Sequence, residues 1–309
     1  MTEGKQNMNA SDFNPTPGEV AHLAPGIRRI LAPNPSPMTF RGTNTYLVGT
    51  GEVALIDPGP AIPAHLDAIR AALAPGEQIS HIFVTHSHID HSPLAKAVSD
   101  ATGAPIHAFG PSDAGRSEIM QHLAEQGKLA GGEGVDATFR PDVLLADGDC
   151  VTGQNWQLTA IWTPGHFCNH MCFSFGKALF SGDHIMGWAS TMISPPDGDL
   201  TAFMSSARRL LDGNETTYYP GHGAPVEAPQ ERVQWLINHR KAREAEILTQ
   251  LRNGLQTIPD LTARIYTETP AALHPAAARN VFAHLIDLQQ QNKVTATPHL
   301  GSDAVFRLL

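Results

Sequence analysis

The residues best equipped for chemistry stand together at Thr85-His86-Ser87-His88-Ile89-Asp90-His91. Three imidazoles and a carboxylate packed this closely repel one another when the histidines protonate, and a shared cation removes that cost. The apolar, β-branched-rich run just before them, residues 79–84, predicts a buried strand. Ser92 then offers an N-cap oxygen, Pro93 suits a first helical position, and residues 94–98 continue as helix. Side chains two apart on an extended segment point the same way, so His86 and His88 can share one cation. Asp90 and His91, at the turn into the helix, can reach a second. A helical zinc-protease motif would place its histidines four apart with a Glu beside the first, and that pattern is absent.

The elements around this loop repeat one device: a strand that ends in His or Asp beside glycine. Residues 41–50 and 53–56 predict a hairpin turning at Gly49-Thr50-Gly51, and its second strand runs into Asp57-Pro58-Gly59. A helix over 63–73 and a strand over 104–109 flank the metal loop. Strands over 142–145 and 156–162 follow, the latter entering Thr163-Pro164-Gly165-His166. A hairpin over 171–175 and 178–180 leads to Ser181-Gly182-Asp183-His184, and a strand at 217–219 leads to Pro220-Gly221-His222-Gly223. Glycine lets the backbone turn sharply, so a side chain at a strand end can face a common centre. Between them, residues 110–140 hold a short helix near 119–125 and a glycine cluster at 131–134, which reads as a surface loop or a rim over the site.

At 309 residues the chain has room for a large core. No stretch approaches the ~20 apolar residues of a transmembrane helix. The polar N-terminus lacks the basic-then-apolar profile of a signal peptide and is expected to be a flexible tail over residues 1–26. Three cysteines, Cys150, Cys168 and Cys172, fit a reducing compartment better than a disulfide framework, so the expected location is cytoplasmic. Cys168 and Cys172 interleave with His166 and His170 but read as buried thiols. Net charge is −9, unevenly spread: residues 1–228 hold 12 Lys/Arg against 23 Asp/Glu, residues 229–309 hold 9 against 7. An acidic body is a poor partner for polyanions. After residue 228 the texture changes: a long charged helix over 231–252, two shorter helical patterns, and a terminal hairpin over 293–297 and 304–308. Helices followed by a hairpin suggest a winged-helix-like order.

Taken in order, T-H-S-H-I-D-H, T-P-G-H, S-G-D-H and P-G-H-G resemble the motif series of the metallo-β-lactamase superfamily, over residues 27–228. The resemblance implies an α/β fold, a four-layer αβ/βα sandwich with a dinuclear site at one edge. It implies that His86, His88 and His166 bind one metal, that Asp90, His91 and His222 bind the other, and that Asp183 bridges them. Asp57 resembles the carboxylate that orients a ligand histidine from behind. His170 and His184 are candidates either for substrate contact or for packing behind the ligands. Nitrogen and oxygen donors suit two Zn²⁺ per chain, with Mn²⁺ or Fe as alternatives. True metallo-β-lactamases lack an aspartate at the bridging position, so Asp183 is similar to hydrolases of thioesters, lactones and phosphodiesters. Residues 235–248 are similar to the segment following the metal domain in lactamase-beta-like proteins, a group that includes a single-strand endoribonuclease. The resemblance therefore implies a winged-helix-like domain over residues 229–309.

The expected activity is hydrolysis by a hydroxide held between two metals, with Asp90 orienting the water and accepting a proton. The substrate is a small ester or thioester, which suits the acidic body, or a phosphodiester, with single-stranded RNA as the alternative that the C-terminal resemblance brings. A di-iron redox protein of the flavodiiron type lacks its flavodoxin-like partner here. No membrane partner is expected, and the oligomeric state is open.

Overall fold

A computed structural model describes residues 12–127 and 134–309. The glycine cluster expected at 131–134 lies almost wholly outside them. Two sheets face each other. The first runs β1 (Val20–Ala24), β2 (Ile27–Leu31), β3 (Asn44–Val48), β4 (Glu52–Ile56), β5 (Gln78–Phe83), β6 (Ile106–Ala108) and β7 (Val143–Leu144), in that order. Its first four strands pair antiparallel and β4 to β7 pair parallel. The second holds β8 (Cys150–Thr152), β9 (Gln157–Trp162), β10 (Met171–Phe175), β11 (Ala178–Gly182) and β12 (Thr217–Pro220), in the order β12-β11-β10-β9-β8.

Aromatic and branched side chains from both inner faces fill the space between the sheets, among them Tyr46, Ile56, Phe83, Trp156, Phe173 and Phe180. Helices α1 (Pro63–Ala71) and α2 (Leu94–Thr102) cover the outer face of the first sheet, burying Ile69, Leu94 and Val98 against Leu47, Leu55 and Ile82. A third, α3 (Glu118–Glu125), buries Met120 and Leu123 outside that layer. Helix α4 (Leu200–Leu211) and the first half of α5 (Pro229–Leu251) cover the second sheet through Phe203, Leu210, Val233 and Leu236. The result is the four-layer sandwich.

Strand direction explains why the catalytic-type residues meet. β4 and β5 are parallel, so Asp57 and Thr85 leave the sheet at the same edge. β11 and β12 are also parallel, and β9 shares their direction because it is antiparallel to β10, as β11 is. The segments carrying His166, Asp183 and His222 therefore emerge together. Loops at the carboxyl ends of parallel strands are where open α/β sheets build their sites.

The C-terminal part holds α6 (Ile258–Ile265), α7 (His274–Gln290) and a small sheet ordered β13 (Gln256–Thr257), β15 (Val305–Leu308), β14 (Val294–Thr297). A capping box at Thr257 and Asp260 starts α6. The three-stranded sheet differs from the expected hairpin by β13, two residues too short to carry an alternating pattern.

Val20–Ala24 pairs with β2 as an edge strand of the first sheet. Apolar packing is continuous across residue 228. α5 serves both parts, Leu236 and Ile237 packing with α4 while Ile247 and Leu251 pack with Leu261, Val281 and Phe306. Met120 and Leu123 of α3 also join that C-terminal core.

Candidate metal centre

The metal loop leaves β5 and binds itself to Asp57 at once. Asp57 Oδ1 accepts the Thr85 backbone N–H at 2.7 Å and Oδ2 accepts the Thr85 hydroxyl at 2.8 Å. Because that hydroxyl proton is used, Thr85 Oγ1 accepts from His86 Nδ1 at 3.0 Å. The same logic holds for three further rings. His91 Nδ1 donates to Asp57 Oδ2 at 2.9 Å, His166 Nδ1 to the Met192 carbonyl at 2.8 Å, and His222 Nδ1 to the Gly42 carbonyl at 3.0 Å. Each proton spent outward turns Nε2 inward, where it can bind a cation once any proton on it is displaced.

Those inward atoms converge. His86 Nε2 lies 2.8 Å and His166 Nε2 3.2 Å from His88 Nδ1. His222 Nε2 lies 3.1 Å from Asp90 Oδ2 and 3.3 Å from Asp183 Oδ2. His91 Nε2 lies 3.4 Å from Asp90 Oδ2 and 3.6 Å from Asp183 Oδ1. Among the described residues three groups bring ligand atoms within 4.8 Å: His86, His88 and His166; Asp90, His91 and His222; and His86, His91 and Asp183.

The set fits cations better than hydrogen bonds. His91 Nε2 and Asp183 Oδ1 are buried with no hydrogen-bond partner. Such orphaned atoms are costly unless something positive sits between them. Burial first, and then the neighbouring imidazoles, hold His86 well below the ordinary histidine value, and His88 is pushed to about 3. On the other side the carboxylates win. Burial opposes protonation of His222, yet Asp183 and Asp90 raise it to about 10, and with Asp57 they raise His91 too. Burial likewise works against ionised Asp90 and Asp183, but both are held well below the usual carboxylate range by His91 and His222. Without metal the centre is thus a neutral trio beside an ion-paired quartet, and cations must displace protons to enter.

His170 and His184 lie behind this centre. Both are fully buried, and neither lines the cleft that opens onto it. His170 Nδ1 meets Thr163 Oγ1 at 2.9 Å, and its Nε2 accepts the Asp183 backbone N–H at 3.2 Å. His184 rests on Phe203, ring centroids 4.6 Å apart.

Sequence reasoning passed over Thr43, Asn44 and Asn169. Thr43 Oγ1 donates to Asp90 Oδ2 at 3.2 Å. Asn44 Nδ2 reaches the carbonyls of Pro220 and Gly223, tying the His222 turn to β3. Asn169 ties Ser87 to the carbonyls of Gly110 and Pro111. A signal existed for the first two: Thr43-Asn44-Thr45 is an uninterrupted polar run entering a buried strand.

The centre opens on a cleft of about 770 Å³ between the sandwich and the C-terminal part. Met38, Ile89, Met186, Trp188, Met192 and Leu273 contribute its apolar wall. Asp90, Asp183 and His222 stand at its floor.

Residues 38–222 match the model of the metallo-beta-lactamase superfamily. The chain belongs to that superfamily. Residues 257–301 match the beta-lactamase associated winged helix domain. The chain is 34% identical over 289 residues to a beta-lactamase-like protein 2 homolog of Drosophila melanogaster, covering 89% of this chain and 91% of the relative. It is 32% identical over 272 residues to an atrochrysone carboxyl ACP thioesterase of Aspergillus fumigatus, covering 82% and 77%. A beta-lactamase domain protein from Burkholderia ambifaria has the same fold, with a TM-score of 0.80 at 20% identity over 97% of this chain and 96% of that one. This member of the metallo-beta-lactamase superfamily is a metal-dependent hydrolase with a C-terminal winged-helix domain. No helix among the described residues is long and apolar enough to cross a membrane.

Proposed function

We propose that this metallo-beta-lactamase superfamily member is a dinuclear zinc hydrolase of acyl thioesters. The apolar cleft opening directly on the paired carboxylates carries the reading. A cavity of this size, walled by thioether and aromatic side chains, suits a bulky acyl group. Similarity to the Aspergillus thioesterase supports the same substrate class.

His86, His88 and His166 would hold one cation, Asp90, His91 and His222 the other, with Asp183 between them. Such a pair supplies Lewis acidity, activating water near neutral pH and stabilising negative charge on the attacked carbonyl oxygen. The side chains do the rest. Thr43 holds Asp90 Oδ2 by its hydroxyl, so the carboxylate faces the cleft ready to take the water's proton. As water's oxygen bonds to the carbonyl carbon, the C–S bond breaks and the sulfur leaves as thiolate. A thiol with a pKa near ~8.5 needs little help to leave. That matches a cleft whose only lining histidines, among the described residues, belong to the metal centre.

The RNA alternative meets two obstacles. Outside the metal centre the charged side chains of the cleft lining are Asp197 and Arg279, which give a polyanion no run of basic groups to follow. Helix α7, which would read nucleic acid in a winged-helix arrangement, buries Val281 through Leu288 without a break. Its less buried first part, residues 274–280, carries a single Lys or Arg side chain, Arg279, a thin footprint for nucleic acid.

The test is a substrate panel with zinc-loaded protein: a bulky acyl thioester, followed by release of free thiol, beside a phosphodiester, single-stranded RNA and nitrocefin. The thioester should be turned over well above the others, with negligible β-lactam opening. RNA cleavage or nitrocefin hydrolysis exceeding thioester turnover would overturn the assignment.

A further inference from the structure

The segment from Asp183 to Asp199 returns across the centre and touches it twice. The Thr191 hydroxyl stands 2.9 Å from both the Asp183 and the His184 carbonyl oxygens. One residue on, the Met192 carbonyl takes the Nδ1 proton of His166 at 2.8 Å. Two consecutive residues, Thr191 and Met192, thus hold the backbone of the bridging candidate and the ring orientation of a ligand candidate. They have no strand or helix of their own to fix them.

What fixes them comes from the other end of the chain. Arg240 of α5 donates an Nη2 proton to the Thr191 carbonyl, and its Nη1 reaches Asn280 Oδ1 of α7 at 3.1 Å. The same Asn280 oxygen accepts the Ile193 backbone N–H at 3.1 Å. Arg240 is only 3% exposed, and its hydrogen-bond acceptors among the described residues are these two neutral oxygens. A buried guanidinium without a carboxylate is expensive, and a residue chosen only to cement two helices would more cheaply be apolar. Its guanidinium also lies 5.5 Å from the Phe203 ring centroid. Phe203 in turn packs so closely on Gly165, next to His166, that a Cβ there would sit 2.3 Å from its Cα.

We propose that Arg240 and Asn280 are positioning residues for the metal centre, clamping residues 191–193 so that Met192 and Thr191 hold His166 and Asp183 in ligand geometry. The C-terminal domain then acts on metal affinity without touching metal or reacting atoms. This rests on the ligand set proposed above. Partners behind a ligand set its direction and tautomer, and losing one typically costs about 10–100-fold in metal affinity.

The experiment measures zinc affinity by chelator competition, and the visible absorption of the Co²⁺-substituted full chain, in five variants. Arg240→Met and Asn280→Leu should each weaken zinc binding by about 10–100-fold and alter the cobalt spectrum. Asn280→Asp keeps the accepting oxygen and should bind zinc as wild type does. Ile247→Ala, which opens a cavity in the C-terminal core, should lower Tm while leaving affinity and spectrum unchanged; parallel losses there would reduce Arg240 to a structural role and overturn the proposal. His166→Ala should lose an ion. Wild-type affinity in both Arg240→Met and Asn280→Leu, with an ion lost from His166→Ala, overturns the clamp while the ligand set stands. An unchanged His166→Ala removes the ligand set and the clamp with it. Should Arg240→Met fail to fold, Asn280→Leu decides alone.

Discussion

Asp57 Oδ2 and His91 Nδ1 stand 2.9 Å apart with both side chains buried, and the same carboxylate holds Thr85 by its N–H and hydroxyl. One side chain thus sets the His91 tautomer and anchors the start of the metal loop. Asp57 itself has φ +50°, a conformation that Asn tolerates. Asp57→Asn should therefore fold normally yet weaken metal binding by about 10–100-fold. Chelator competition, with circular dichroism as the folding control, checks it. An Asn variant with undiminished affinity would show that the pair does not serve the metal.

The proposed assignment of the ligand candidates to two cations predicts two ions. Purified protein should carry close to two zinc per chain by elemental analysis, and His222→Ala should carry close to one, because His222 faces Asp90 and Asp183 but not the His86–His88–His166 group. A single tightly held ion, unaffected by the His222 change, would sink the dinuclear reading.

Gly221 tests the centre by sterics alone. A Cβ there would lie 2.4 Å from Asp183 Oδ1 and 2.6 Å from His91 Cε1. Gly221→Ala must push one of them aside, and displacements of this scale cost about 100-fold in rate. Thioester turnover should fall accordingly while the circular dichroism spectrum stays that of the wild type; near-normal turnover would place reacting groups elsewhere.

His65 makes acid stability testable away from the metals. It is 1% exposed, and its Nε2 donates to Thr45 Oγ1 at 2.8 Å, since the Thr45 hydroxyl proton goes to the Asp57 carbonyl. Burial pushes its pKa from 6.5 down to about 4. The fold favours the neutral ring, so its contribution is complete above pH 6.5 and shrinks as pH falls toward 4, by up to about 3 kcal/mol. His65→Gln keeps a donor but cannot titrate. In metal-free protein, its denaturant midpoint should fall less steeply than that of wild type across this range, and equal slopes would refute the argument.

The metal loop was legible in the sequence because its information is local. A buried strand, a turn and a capped helix place His86, His88, Asp90 and His91 within a few residues of one another. The glycine-flanked strand ends marked His166, Asp183 and His222 as candidates for the same reason, and the motif order was enough to name the superfamily. What the loops would pair with was not local. Only parallel pairing of β4 with β5 carries Asp57 to His91, and of β11 with β12 carries His222 to Asp183, while the packing of one sheet on the other brings His222 to Asp90. Packing alone decided that His170 and His184 stand behind the centre rather than in the cleft, since a histidine beside a glycine looks the same either way. The edge strand β1 and the two-residue β13 were invisible because their hydrogen-bond partners, not their own patterns, make them strands. Likewise Arg240 read as one more charge on a long polar helix. Its burial against residues 191–193 depends on α5 and α7 closing over the sandwich, a contact between segments about fifty and ninety residues apart that no spacing rule encodes.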